Sequence, residues 1–396
     1  MRWDGALPFT VQLAALGPKN NAMWFLDSRQ RLHRYSLNDP HPEAGFRAFF
    51  GKVWYEGSSE PKYEWQSTGA SDDAEPKLSM IPLLIGTLKG TFYAMLLAAP
   101  LALFAALYAS QFAHPKFKQF IKPTMEVMAS LPSVILGFLA ALWLAPLLDQ
   151  RIPSLALALV FLPVSALLFG ALLEQMPYSI RRRIKPGFEF IAILPLLALA
   201  AYAAWRLGPV MESAFFIARD LSTGEPIPDF RLWWVQTTGL PFEQRNALVV
   251  GFMMGFAVIP IIFTMAEDAL SNVPPAFSSS SLALGASRWQ TTIRVILPTA
   301  SAGIFSALMI GLGRAVGETM IVLMATGNTP ITGWNIFSGM RTLSANLAVE
   351  LPEAPLHSTL YRTLFLGALL LFLLTFIVNT LAEIIRNRLR EKYKAV

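Results

Sequence analysis

Long runs of apolar residues alternate with short polar loops along most of this chain. A helix needs ~20 residues to cross the ~30 Å hydrocarbon core of a bilayer, and about seven of the runs reach or approach that length. The pattern predicts transmembrane helices over residues 82–110, 123–147, 152–174, 189–207, 246–266, 298–325 and 359–385. We therefore expect an all-α membrane protein, built as a polytopic helix bundle. Pro163 and Pro195 interrupt two of these runs, which neighbouring helices can tolerate.

The composition agrees with a membrane protein and excludes several kinds of site. Of the 396 residues, 54% are hydrophobic and 15% are charged, and the mean hydropathy is +0.47. A soluble chain averages about a quarter charged residues. The absence of cysteine excludes disulfides, thiolate metal sites and a cysteine nucleophile, and the four histidines show no metal-ligand spacing. We expect no metal and no cofactor bound by this chain.

The positive residues lie mostly in short loops on one side of the predicted bundle. Their main groups are 116–122, 181–185, 288–294 and 386–394. This placement fits an anionic lipid surface better than nucleic acid, and the positive-inside rule puts these loops and the C-terminus in the cytoplasm. Residues 1–77 are then an extracytoplasmic tail and linker. Because they contain only a weak export signal, we expect them to be the end of a larger N-terminal region.

Residues 267–298 form the longest polar segment on the cytoplasmic side apart from the C-terminal tail. Leu284 and Trp289 give this segment apolar positions, and Gly285 is expected to divide it into two short helices. Leu297 and Pro298 close the loop and begin the next membrane span. A surface of this kind suits docking against a partner protein.

The loop and the helix after it carry a family resemblance. Gly285 is followed at the family spacing by Val295-Ile296-Leu297-Pro298, and the stretch LALGASRWQTTIRVILPTASAGIFSALMIGLGRAVGETM resembles the permease subunits of binding-protein-dependent ABC importers. It is most similar to the phosphate-specific group of the PstC type. The stretch MASLPSVILGF at 128–138 also matches that group. The resemblance covers roughly residues 78–148 and 246–386.

The resemblance implies a fold, a function and partners. It implies a permease domain over 78–396 that translocates inorganic phosphate across the cytoplasmic membrane. It also implies a dimer of ATP-binding subunits that carries ATP and Mg²⁺, a second homologous permease and an extracytoplasmic phosphate-binding protein. The chain itself has no phosphate loop of the form G-x-x-x-x-G-K-[ST], so we expect no enzymatic activity of its own.

Two departures from the family pattern concern the loop and the middle of the chain. The family motif has Glu-Ala-Ala where this chain has Ser279, Ser280 and Ser281, so the usual acidic contact with the ATPase is missing. An insertion at about 150–245 adds two predicted spans and a polar loop. Ser279 to Ser281, Leu284, Gly285, Ala286, Trp289, Leu297 and Pro298 are the residues that the resemblance assigns to ATPase coupling.

Arg314 and Glu318 are two charges inside an apolar run. A charge at the bilayer centre costs about 2.5–3.5 kcal/mol on insertion scales, so each needs a physical reason. Their spacing predicts one shared helix face that points into the bundle. One interpretation is a structural ion pair between helices. The other is that Arg314 contacts an oxyanion in the pathway while Glu318 positions the guanidinium, and the resemblance favours it.

Three other functions remain open at the level of sequence. Within the importer class the substrate could be sulfate, molybdate or phosphonate. A secondary anion carrier would need coupling carboxylates and paired broken helices in two halves, and only Glu318 is well centred. A membrane sensor would suit the extracytoplasmic tail, but the match at the coupling loop argues against it.

Overall fold

The computed structural model describes most of the chain, and the membrane bundle is almost wholly within it. The described residues are 7–17, 22–36, 41, 43–67, 76–175, 188–220 and 222–394. The basic cluster Arg181-Arg182-Arg183 with Lys185 lies outside them. Residues 68–75 of the predicted tail and linker also lie outside them.

The N-terminal part contains a small antiparallel sheet that precedes the membrane bundle. Its strands run in the order β1 (Val11–Leu16), β2 (Ala22–Asp27) and β3 (Leu32–Ser36). The Asp27 carboxylate closes the β2–β3 turn, because it accepts the backbone N–H groups of Arg29 and Arg31, each at 2.8 Å. The tail is therefore an ordered β structure outside the all-α bundle.

The segment before the first membrane helix packs against the bundle. It comprises α1 (Phe46–Phe50) and the paired strands β4 (Trp65–Gln66) and β5 (Lys77–Leu78). Trp65 is buried, and its indole N–H donates to Glu350 Oε1 at 3.0 Å. This buried contact fixes β4 and β5 against the membrane bundle.

The membrane part begins with a long helix, a bend and then a helical hairpin. These elements are α2 (Ile81–Gln111), α3 (Pro115–Ala129), α4 (Ser133–Leu139), a π-helical turn (Ala140–Leu144), α5 (Ala145–Asp149), α6 (Ile152–Gln175) and α7 (Glu189–Phe215). A small unit follows the hairpin: β6 (Ile217–Arg219), β7 (Pro226–Pro228) and α8 (Phe230–Thr238).

The second half of the bundle contains the predicted coupling segment. Its elements are α9 (Ala247–Ser271), α10 (Pro275–Ala283), α11 (Arg288–Thr291), a second π-helical turn (Thr292–Ile296), α12 (Leu297–Val316), α13 (Met320–Ala325), α14 (Leu343–Glu350) and α15 (Thr359–Lys394). We call the side of the bundle that carries α10 and α11 the coupling face, and the opposite side the distal face.

Helix α9 is the centre of the bundle. It packs along α2 and α12, and its apolar span is the most buried of the membrane helices in the described chain. Gly251 and Gly255 allow this packing, because a side chain at either would meet Tyr93, Ala94 or Leu97 of α2. The α6–α7 hairpin packs mainly on itself and leaves most of its apolar surface facing outward.

The structure confirms most predicted spans and corrects two. Among the described residues, 6 helices are long and apolar enough to cross a membrane. The predicted span 123–147 corresponds to a broken span, because α3 and the helical stretch that begins at Ser133 are bent by 85° relative to each other. The predicted helix 298–325 is also interrupted, because α12 ends at Val316 and α13 begins at Met320.

Candidate functional site

Arg314 lies near the middle of the membrane bundle, in the last turn of α12. The residue one turn earlier, Gly311, packs against Ile262 and Val258 in the central part of α9. The side chain of Arg314 is exposed in this chain. No carboxylate of the described residues lies within 4.0 Å of its guanidinium nitrogens. A full positive charge therefore stands at membrane depth with its donors uncommitted.

Glu318 occupies the break between α12 and α13, not the helix that carries Arg314. Its carboxylate accepts the N–H of Ile321 in the first turn of α13 at 3.4 Å, and its carbonyl accepts the hydroxyl of Ser344 at 2.9 Å. The predicted shared helix face is therefore wrong, because the helix ends at Val316 before the second charge. No Arg314–Glu318 ion pair forms within 4.0 Å in the described chain.

Two interrupted helices meet beside this break. Helices α4 and α13 pack together, and a Cβ on Gly137 would stand only 2.9 Å from the Met320 carbonyl oxygen. The helix that follows the bend at Pro132 thus packs against the helix that follows the break at Gly317. Irregular backbone at membrane depth is found where it is buried in protein or lines a water-filled cavity. The arrangement concentrates both helix breaks near Arg314.

The coupling segment has the predicted division into two short helices. Helix α10 ends at Ala283, Gly285 has φ +86°, and its N–H donates to the Leu282 carbonyl at 3.0 Å. The N–H of Ala286 donates to the Ser281 carbonyl at 3.2 Å. These two bonds are those of a Schellman motif, in which the residue in the left-handed region is usually glycine. The glycine is therefore required by the backbone.

The next helix starts with a well-defined cap. The Ser287 hydroxyl accepts the N–H of Gln290 at 3.2 Å, and the Gln290 side chain accepts the N–H of Ser287 at 2.9 Å. This reciprocal pair is a capping box. The hydroxyls of Ser281 and Thr291 lie 3.0 Å apart and join α10 to α11. The two short helices are therefore held at a fixed angle.

Most of the predicted coupling residues lie on the exposed surface of α10, α11 and the turn between them, and the last two begin α12. Ser279 and Ser280 are exposed, Leu284 is 89% exposed and Trp289 is 59% exposed, so the segment offers an apolar surface with polar neighbours. Leu297 and Pro298 begin α12, as the sequence predicts. The predicted loop bounds of 267–298 are too wide, since helix α9 continues to Ser271 and helix resumes at Arg288.

Glu267 and Asp268 fasten α3 to the end of α9 instead of entering the coupling segment. Glu267 is buried, and its carboxylate pairs with Lys118 at 2.5 Å and accepts the Ser271 hydroxyl at 2.6 Å. Asp268 pairs with Lys122 at 2.7 Å. Lysines that the sequence analysis assigned only to membrane orientation thus also hold the amphipathic helix α3 in place.

The distal face contains a buried lysine that the sequence analysis missed. Lys89 of α2 is fully buried, and its ammonium contacts Ser338 Oγ at 2.7 Å, the Ser338 carbonyl at 3.4 Å and the Gly339 carbonyl at 3.3 Å. Three acceptors match its three donors. A lone lysine inside the apolar run 82–110 is the signal that could have found it. The residue anchors the loop between α13 and α14 on α2.

A small aromatic unit lies on the distal face, at the end of the predicted insertion. Phe230 and Trp234 each pack edge to face against Phe337, with centroids 5.6 and 4.9 Å from its ring. Arg231 bridges Asp229 and Asp149, each at 3.0 Å. Burial raises the pKa of Asp229, but hydrogen bonds from Arg231 and from backbone N–H groups outweigh it and hold that pKa below its usual value. This unit joins α8 to the loop that Lys89 anchors.

Comparisons with known proteins agree with this architecture. Residues 166–391 match the family described as binding-protein-dependent transport system inner membrane component. The phosphate transport system permease protein PstC 1 of Mycobacterium tuberculosis is 31% identical over 245 residues, covering 60% of this chain and 70% of that protein. PstC proteins of Xylella fastidiosa and Mesorhizobium japonicum are 28% and 27% identical, covering 63% and 62% of this chain and 75% and 73% of their own lengths.

A solved structure with a similar chain is the inward-facing MetNI methionine ABC transporter. It is 15% identical with a TM-score of 0.39, covering 78% of this chain and 94% of that chain. The family match includes the coupling segment and Arg314, and it extends over more than half of the chain. The chain therefore belongs to the inner membrane components of binding-protein-dependent transport systems, the permeases of ABC importers.

Proposed function

We propose that this chain is the permease subunit of an importer that carries inorganic phosphate across the cytoplasmic membrane. The observation that carries the proposal is the guanidinium of Arg314, which stands exposed and without an ion-pair partner in the described chain, at membrane depth and beside two helix breaks. A charge there is too unfavourable to face lipid, so it faces a water-filled pathway or a partner subunit.

Arginine suits the recognition of a tetrahedral oxyanion. Its planar group offers paired N–H donors that meet two oxygens at once, and it stays charged at all physiological pH values. Relatives that cover 60–63% of this chain are named as phosphate transport permeases. The arginine fits any of these tetrahedral oxyanions, and the names of the relatives favour phosphate over sulfate, molybdate and phosphonate.

Release of the anion requires that the site bind it with modest affinity. Because Glu318 caps α13 rather than Arg314, its carboxylate contributes a negative potential near the break without neutralising the guanidinium. We assign Arg314 to direct anion contact and Glu318 to holding the start of α13 in position. This division replaces the sequence-based prediction of a paired Arg314 and Glu318.

The energy and the remaining subunits come from partners. A dimer of ATP-binding subunits that carries ATP and Mg²⁺ would dock on α10 and α11, where Leu284 and Trp289 are exposed. A second homologous permease would cover the face of α12 that carries Arg314, and an extracytoplasmic phosphate-binding protein would deliver the anion to the distal face. The coupling face and the C-terminus are then cytoplasmic, and the N-terminal sheet is extracytoplasmic.

The experiment that tests this function is uptake of radiolabelled phosphate by phosphate-starved cells that depend on this permease in its full reading frame. We expect uptake that an excess of unlabelled phosphate abolishes and that equal sulfate or molybdate leaves unchanged. Depletion of ATP with the membrane potential clamped should stop it. Competition by sulfate or molybdate would reassign the substrate, and uptake that continues without ATP would indicate a secondary carrier.

A further inference from the structure

A cavity lies between α12 and α15 on the same side of α12 as Arg314. Its volume is about 290 Å³, and its polar lining residues are Ser306, Asn379, Glu383 and Arg386. At about 30 Å³ per water molecule, this space holds a tetrahedral oxyanion together with several waters. The cavity is large enough for a phosphoryl group and is open on one side, with Asn379, Glu383 and Arg386 exposed.

The cavity continues the face of α12 that presents Arg314. Ser306, Ile310 and Arg314 follow one another at a spacing of four residues, which places them on one side of the helix. Ile310 is 48% exposed and Arg314 is exposed, so neither α9 nor α2 covers this side. Gly303, just before Ser306, packs against Ala269 near the coupling end of α9. The cavity thus lies between Arg314 and the coupling face.

Arg386 has donors left over in this cavity. One terminal nitrogen of its guanidinium contacts the two Glu383 carboxylate oxygens at 2.7 and 2.6 Å. The other terminal nitrogen lies 3.5 Å from Ser306 Oγ, at the outer limit of a hydrogen bond. Glu383 also accepts the Asn387 amide at 3.1 Å, so its charge is shared between two donors. Part of the guanidinium therefore remains available to an anion.

Asn379 adds a neutral donor on the Arg314 side of the cavity. Its Oδ1 lies 3.6 Å from the position that a Cβ on Gly313 would take, so it stands beside the residue that precedes Arg314. Within the described chain its amide N–H group has no hydrogen-bond acceptor. Arg314, Asn379 and Arg386 thus follow one another toward the coupling face.

We propose that Arg386, Ser306 and Asn379 form a second binding site for a phosphoryl oxyanion, between Arg314 and the coupling face. The site extends the proposed function, because it would receive the anion that Arg314 releases. Glu383 neutralises part of the Arg386 charge, which keeps the affinity low enough for onward release. The same chemistry would also accept the headgroup of an anionic phospholipid, so the test separates these two sources.

The test uses the complete importer, purified with its partner subunits and reconstituted with ATP inside vesicles of zwitterionic lipid or of the same lipid with anionic phospholipid. The variants are Arg386→Gln and the near-isosteric Asn379→Asp, which places a negative charge in the cavity. Arg388→Gln is the matched control, since it removes an exposed positive charge of the same helix outside the cavity lining. The readout is the initial rate of radiolabelled phosphate uptake.

We expect Arg386→Gln and Asn379→Asp to lower the uptake rate about tenfold, and Arg388→Gln to stay within about twofold of wild type. A loss in both kinds of vesicle identifies the transported anion as the ligand, and a loss only with anionic lipid identifies the headgroup. Rates equal to the Arg388→Gln control in both lipids would overturn the site. Absence of phosphate uptake by the wild type would instead refute the proposed function. Uptake of the anion that the importer does carry would then be measured in the same variants.

Discussion

The Schellman turn at Gly285 gives a prediction whose size follows from the structure. Gly285 has φ +86°, and a Cβ built there would meet no atom within 4 Å. A Gly285→Ala change therefore introduces no clash, and its whole effect is the energy of placing an L-residue in left-handed backbone. That energy is roughly 1–2 kcal/mol. We expect the variant to reduce the equilibrium ratio of the observed turn to its alternatives by a factor of about 5–30.

The loss should be seen in docking of the ATP-binding subunit. If the partner binds only the observed turn, its affinity for the Gly285→Ala permease should fall, by at most that factor, because apparent affinity follows the populated fraction of the turn. The measurement is equilibrium binding of the purified ATP-binding subunit to the permease in detergent. Gly285→Asn is the matched control, because asparagine enters the left-handed region more readily and should lose less. Equal affinity for glycine, asparagine and alanine would refute the argument that the partner requires this turn.

Three further changes test other parts of the account. Lys118→Met leaves the buried Glu267 without its cation and should lower the free energy of unfolding by about 1–3 kcal/mol. The loss should appear as a lower melting temperature in detergent, and adding Glu267→Gln should restore much of the stability. The pKa of Asp229 is lowered in the folded state, so the Asp229–Arg231 contact should stabilise α8 above about pH 4. That stabilisation should be lost as the pH falls further. Hydrogen exchange of α8, corrected for intrinsic rates, should show this loss in wild type and not in Asp229→Asn. Ser279→Glu restores the acidic residue of the family motif and should strengthen ATPase binding by about 0.2–1 kcal/mol at low salt, an effect that 0.5 M salt should remove.

Hydropathy predicts the membrane helices well because lipid allows a narrow choice of structures. The span of α9 agrees closely with its prediction, since an uninterrupted apolar run has only one way to satisfy its backbone. Hydropathy predicts each of the stretches 123–147 and 298–325 as a single span because it averages over a window. It does not register the breaks at Pro132 and Gly317, which depend on how α4 and α13 pack together.

The turn and the helix start in the coupling segment could be predicted because the residues that determine them act locally. Gly285, Ser287 and Pro298 act on their own backbone, so the position of the turn and of the next helix follows from the sequence. Arg314 and Glu318 were placed on one face because their spacing fits a continuous helix. The helix ends between them, and that end depends on contacts with α14, such as the bond from Ser344 to the Glu318 carbonyl.

The central claim is that Arg314 contacts the transported anion, and uptake of radiolabelled phosphate by an Arg314→Gln permease tests it most directly. The comparison is made at matched membrane abundance and confirmed assembly with the partner subunits, with Arg294→Gln as a control that removes an exposed charge near the coupling end of the same continuous helical span. We predict that uptake falls at least tenfold in Arg314→Gln and stays near wild type in Arg294→Gln. Unchanged uptake in an assembled Arg314→Gln importer would contradict the claim and leave Arg314 a structural role at the permease interface.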